Sequence, residues 1–218
     1  MLMTHANGRL SNRWPVVMLI AAVAVCQGCG TGEYEKRLEA NMGRWGGGAA
    51  AGPKTDVPGM PLAMQAPADM SLVPAGANPA RAKPPAINLP DLKATYEGVQ
   101  PDSTQGKQHY YCYLAAGDPA AVTGGIPGAG QWEDVNIQSP AGKWRKMRAA
   151  AEQEFFYIDA KGQEQNSKMP GTVEVWDCQL QGGSHLLVIW RVPTALAAKE
   201  YANLDERAKA LAASVSPK

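Results

Sequence analysis

The sequence predicts an α+β protein in which an antiparallel β-sheet packs against a C-terminal helix, preceded by a signal peptide and a disordered Pro/Ala/Gly-rich tether. Three observations carry that prediction. Short runs of β-branched and aromatic residues, punctuated by turn residues, recur from Leu92 to Val192. Ala197, Tyr201, Leu204, Ala208, Leu211 and Val215 repeat at spacings of three and four, the stripe of an amphipathic helix. Between Gly46 and Asp91 lie nine of the 17 prolines, spread among Ala and Gly, and no apolar period survives there.

Composition narrows the function classes. At 218 residues, 45% hydrophobic and 19% charged, the chain is neither wholly disordered nor a polytopic membrane protein. A formal charge of +1 argues against a nucleic-acid partner, whose phosphates demand a marked basic excess.

The elements follow in chain order. Residues 1–14 carry Arg9 and Arg13 and no acid, and Pro15–Val25 is an uncharged apolar run. That run is too short for a spanning helix, which needs about 20 apolar residues, and reads as the apolar part of a secretory signal. Gly28-Cys29 then matches the small residue and cysteine of a lipoprotein signal, which would put a lipid on Cys29. The third residue before it departs from the usual aliphatic and is Cys26. Lipidation at Cys26, or ordinary cleavage after Ala22-Val23-Ala24, are the other two readings. The Cys26-x-x-Cys29 spacing is also that of redox motifs, but no strand-helix context surrounds it. Residues 1–28 hold two Arg and no acid, so their removal takes the formal charge from +1 to −1.

Within Thr31–Ala40, Glu33 and Arg37 can pair across one turn, as can Tyr34 and Leu38, which fits a short helix or a solvated charged turn. Residues 46–91 read as a linker, because a loop of that length inside a compact domain is improbable. Its Met60, Met64 and Met70 form no copper site on this reading, having no His beside them. Candidate strands cover Leu92–Tyr96, Tyr110–Ala115, Trp132–Ile137, Glu154–Ile158 and Thr172–Leu180, with a turn at Asp159–Gly162. Gly182-Gly183 between VEVWDCQL and HLLVIWRV is a hairpin signal. A two-residue turn there would set Glu174 opposite Arg191, Trp176 opposite Ile189 and Cys178 opposite Leu187. Pro193 can open the final helix, and Asn203 is a candidate break within it.

The segments GCGTGEYEKRLE, LPDLKATYEG, HYYCYLAAG, WEDV, SPAGKWRKMR and LLVIWRVP resemble a group of uncharacterised bacterial lipoproteins, over about residues 29–40 and 88–216. The resemblance implies a lipidated Cys29 and a small exported α+β domain, and it assigns no activity. More loosely, antiparallel strands ending in the helix ERAKALAASV are similar to PsbP-like α/β/α sandwiches. A fold does not name a function.

Candidate chemistry is sparse. Cys112 and Cys178 are the cysteines beyond the anchor, and an exported setting permits either a disulfide between them or two buried thiols. His109 and His185 do not complete a zinc site with them, since His109 and Cys112 point to opposite faces of a strand. Lys143, Arg145, Lys146 and Arg148 surround Trp144 and are candidates for contact with an anionic surface. Strand alternation would split these charges between faces, as on a solvated edge strand. Trp132, Trp144, Trp176 and Trp190 read as core substitutes for the scarce Phe. The glycine-rich stretch 124–130 matches no phosphate-binding motif, and no G-x-S-x-G or H-E-x-x-H is present.

The resulting layout is a lipoprotein signal (1–28), a lipid-attachment cysteine and short charged helix (29–45), a disordered linker (46–91) and an α+β domain (92–218). The expected protein is exported and held in the cell envelope by the lipid on Cys29, with no metal and no other cofactor. Its expected partners are the membrane, through that lipid, and another envelope component. Its expected role is binding or scaffolding without catalysis. The alternative is a surface-tethered hydrolase acting on an envelope polymer. A polar cleft lined by His109 or His185 with nearby carboxylates would favour the hydrolase.

Overall fold

A computed structural model of the chain describes residues 51–74, 87–89, 91–103, 106–199 and 204–218, all within a single compact unit. The expected signal (1–28), Cys29, the short charged helix and linker residues 75–86 lie outside the described residues.

The first correction concerns the tether. Residues expected to be disordered form β1 (Ala51–Asp56), β2 (Leu62–Pro67) and β3 (Ser71–Leu72), and Val57, Leu62, Ala63, Met64 and Met70 are buried. The folded region therefore starts upstream of residue 92. Proline does not forbid this because of where it falls. Pro53 lies in β1, an edge strand with a register irregularity between Ala51 and Lys54. Pro58 and Pro61 occupy the turn joining β1 to β2, closed by the Val57 N–H donating to the Leu62 carbonyl at 2.9 Å. Pro67 ends β2. Here the prolines punctuate strands.

Two antiparallel sheets result. One has the order β1-β2-β10, β10 being Ser216–Pro217 at the far end of the sequence. The other has seven strands. They are β3, β4 (Asp91–Ser103), β5 (Gly106–Ala116), β6 (Glu133–Val135), β7 (Gly142–Ile158), β8 (Glu164–Leu180) and β9 (His185–Pro193), in the order β3-β4-β5-β9-β8-β7-β6. Every strand pairing among the described residues is antiparallel, so the fold is predominantly antiparallel β with few helices. At one end β7 curls back, pairing Tyr157 with Gln108 and Ile158 with Lys107 of β5. There β5, β9, β8 and β7 close into a ring.

Alternation along β5, β8 and β9 gives the large sheet two apolar faces, which explains near-continuous runs such as LLVIW. One face carries Tyr110, Cys112, Trp144, Trp176, Cys178, Leu186, Val188 and Trp190 in a cluster with Leu62, Met64 and Met70. The other carries Tyr111, Tyr113, Val173, Val175, Leu187 and Ile189, covered by Ile87, Leu89 and the short α1 (Pro119–Thr123). Trp144, Trp176 and Trp190 are buried, as core residues should be, while Trp132 is half-buried.

The C-terminal stripe forms α2 (Thr194–Lys199) and α3 (Leu204–Ser214) on either side of residues 200–203, which lie outside the description. Leu204, Ala208, Leu211 and Val215 are buried with the first core face. α3 also ties down the N-terminal strands. Arg207 pairs with Asp69, and the Gln65 N–H donates to Ser214 Oγ at 2.9 Å.

The hairpin register differs from expectation by one residue. Glu174 faces Trp190, Trp176 faces Val188 and Cys178 faces Leu186. Residues 181–183 form a three-residue loop closed by the Leu180 N–H donating to the Ser184 carbonyl at 2.8 Å, with Gly182 and Gly183 at φ +96° and +82°. Both glycines adopt left-handed backbone, and the extra loop residue shifts the pairing.

Candidate functional site

A charged cleft forms where β6, β7, β8 and β9 meet. Register sets Lys143 opposite Gln179 and Arg145 opposite Asp177, while β9 brings His185 opposite Gln179 and β6 brings Asp134 opposite Arg145. Residues two apart on a strand share a face, so these six side chains gather on one side of the sheet. Together with Trp144 they line a cleft of about 360 Å³.

Asp177 organises it. The residue is 1% exposed, between Trp176 and Cys178 in an otherwise apolar run. Its Oδ2 accepts from Arg145 Nε at 2.8 Å and its Oδ1 pairs with His185 Nδ1 at 2.7 Å. Two charge-assisted bonds offset much of the cost of burying a carboxylate. The contact of His185 Nδ1 with this carboxylate orients the imidazole ring. That leaves Nε2 as the ring's remaining polar atom. On its other side Arg145 lies over the Trp132 ring, 4.5 Å from the centroid. Its Nη1 and Nη2 make no hydrogen bond among the described residues, and exposed Lys143 makes no ion pair among them.

The candidate basic patch is divided by alternation, but it does not lie on the edge strand expected from the sequence, because β8 and β6 flank β7 at Trp144–Lys146. Trp144 is core. Lys143 and Arg145 face the cleft, whereas Lys146 and Arg148 face the opposite side of the sheet. Lys146 pairs with Asp205 of α3 and its ammonium lies 5.7 Å from the Trp176 ring centroid. Burial raises the Asp205 carboxyl, but Lys146 and Lys209 outweigh it and hold the group below its ordinary value. Arg148 Nε donates to Glu174 Oε2 at 2.7 Å, and the other oxygen of this fully buried carboxylate accepts from Trp176 Nε1 at 2.7 Å.

Cys112 and Cys178 are buried free thiols, so the disulfide considered from the sequence is not formed. Both lie on one face, but β9 runs between their strands, with Cys112 opposite Trp190 and Cys178 opposite Leu186. Two strand spacings across and four residues along put them roughly 16 Å apart, well beyond disulfide reach. Burial pushes both thiols up, Cys178 to about 12.

His109 and Cys112 face opposite sides of β5. His109 Nδ1 is 2.6 Å from Glu97 Oε1, both fully buried, and its ring meets Phe156 edge-on at 5.2 Å. Nearby, buried Arg191 donates from Nε to Gln153 Oε1 at 2.7 Å and lies 4.6 Å from the Phe155 ring centroid. Burial lifts the Tyr113 hydroxyl to about 12 against the lowering pull of Arg191. These groups fill the interior near the ring closure. Among the described residues no three His, Cys, Asp or Glu side chains cluster to hold a metal, and Met64 and Met70 are core.

Sequence reasoning named Glu174 and Arg191 only as a cross-strand pair, which the register separates, and did not anticipate Asp134, Asp177 or Glu97. An available signal was the placement of Glu174 and Asp177 inside an apolar strand, where an acid requires a partner. No protein-family model matches the chain, and no curated protein matches it.

Proposed function

We propose that the chain is an exported envelope protein, anchored by lipid on Cys29, whose α+β folded part binds another envelope component without catalysis. The cleft of Lys143, Arg145, Asp177, Gln179 and His185 is the binding site. The observation that carries this reading is the cleft's side-chain inventory. Charged groups converge there on a buried carboxylate, Asp177, both of whose oxygens are already engaged by Arg145 and His185, leaving the cationic side chains to meet a ligand. Leu72 is the one exposed large hydrophobic among the described residues, which favours polar recognition over apolar docking. The anchor rests on the basic, apolar and Gly28-Cys29 pattern and on the resemblance to bacterial lipoproteins.

Two experiments test the two halves. Labelled fatty acid should mark the full chain and not Cys29→Ala; equal labelling would sink the anchor. The full chain should retain an envelope component that Lys143→Glu fails to retain, and retention by both would remove the cleft from the reading. A second reading, a hydrolase, is favoured by the criterion set from the sequence, since the cleft is polar and lined by His185 with the carboxylates Asp177 and Asp134. An imidazole oriented through Nδ1 can act as a base through Nε2. Turnover of an envelope polymer, lost in His185→Gln, would favour it.

A further inference from the structure

We propose that the group recognised by this cleft is an oxyanion, a carboxylate or phosphate carried on the ligand, held by Arg145 and Lys143. The inference rests on the cleft being the binding site and adds the chemistry of what enters it.

The donor balance supports it. Arg145 has five N–H groups, and Asp177 takes the one on Nε. The other four, on Nη1 and Nη2, have no partner among the described residues, yet the guanidinium is held on both sides, by Asp177 and by Trp132. A positioned guanidinium with unused Nη groups suits the planar, two-point recognition of carboxylate or phosphate. Lys143 stands two residues away on the same face, about 7 Å along the strand, and adds a second, mobile cation. Gln179 between β7 and β9 supplies an amide donor.

The negative charges do not cancel this. Asp177 is buried, and both its oxygens are already engaged by Arg145 and His185. Asp134 is an exposed rim carboxylate opposite Arg145. It opposes an anion and would favour a cation, so its removal separates the two ligand classes by sign. A volume of about 360 Å³ admits such a group with part of its carrier.

The test is calorimetric titration of the full chain in non-ionic detergent with inorganic phosphate and, separately, with acetate. Saturable binding near about 1 mM is expected for at least one. Lys143→Gln and Arg145→Gln should each weaken it by about tenfold. Asp134→Asn should tighten it by about threefold, and Lys168→Gln, an equal charge change on the exposed half of β8, should leave it unchanged. Because Arg145→Gln strips a partner from buried Asp177, Lys143→Gln, an exposed change, keeps the test decisive if the former misfolds. Binding of phosphate alone, acetate alone or both supports the oxyanion and identifies which form the site prefers. The proposal is overturned if neither binds, if Lys143→Gln binds as wild type, or if Asp134→Asn weakens binding. Should retention of the envelope component still depend on Lys143 in that case, the binding site stands and only its ligand chemistry fails.

Discussion

Truncating Met64 to Ala probes whether residues 51–74 belong to the folded core. Met64 is fully buried in the middle of β2, opposite Thr55 of β1, and clusters with residues of both sheets and α3. Beside it, Ala63 pairs with Ser216 and the Gln65 N–H is bonded to Ser214. Collapse into the space left is therefore resisted by strands on both sides and by the helix. A buried Met→Ala change costs about 2–5 kcal/mol, from lost transfer energy plus the residual cavity. For about 3 kcal/mol in a fold of this size, the melting temperature drops by about 6–12 °C. Urea denaturation followed by tryptophan fluorescence reads it directly, since Trp144, Trp176 and Trp190 are buried. Were this segment a solvated tether, the change would stay within about 0.5 kcal/mol. That result would refute the assignment of β1 and β2 to the fold.

Three further outcomes follow from the same geometry. Asp177→Asn removes the charge that orients Arg145 and His185 and should cost about 1–3 kcal/mol in urea denaturation; a change under about 0.5 kcal/mol would contradict its keystone role. Asp205 is held below its ordinary value, so its contribution is complete above the unfolded-state value of 3.8 and fades as pH falls through the lower folded-state value. Lys146→Gln should thus lose up to about 1 kcal/mol at pH 6 and progressively less as the pH falls below 3.8, and a pH-independent difference would exclude the pairing. Cys112 and Cys178 should resist alkylation in the native protein and both react in denaturant, as mapped by peptide mass spectrometry, because burial suppresses the reactive thiolate. Recovery of a Cys112–Cys178 linked peptide would contradict the strand register.

Much of the large sheet was legible because its signals are local. The aromatic run at Tyr110–Tyr113, the paired apolar runs either side of Gly182-Gly183 and the stripe from Leu204 to Val215 each show their own period. What escaped the sequence was nonlocal. β2 is flanked by β1 and by Ser216–Pro217, and no spacing within residues 46–91 announces a partner at the far end of the chain. The hairpin register turned on one loop residue, which composition does not distinguish. The cleft was half visible. Alternation correctly split Lys143 and Arg145 from Lys146 and Arg148, but which acid meets which cation depends on the pairing of β7 with β8. Asp177 and Glu174, three apart on β8, serve opposite faces because side chains alternate along a strand.

The central claim is that the cleft between β6 and β9 is where an envelope component is engaged. A photocrosslinking amino acid placed at exposed Gln179, on the cleft, should capture that component in intact cells, and the same group at exposed Asn166, on the far half of β8, should not. Capture from Asn166 with none from Gln179 would contradict the account.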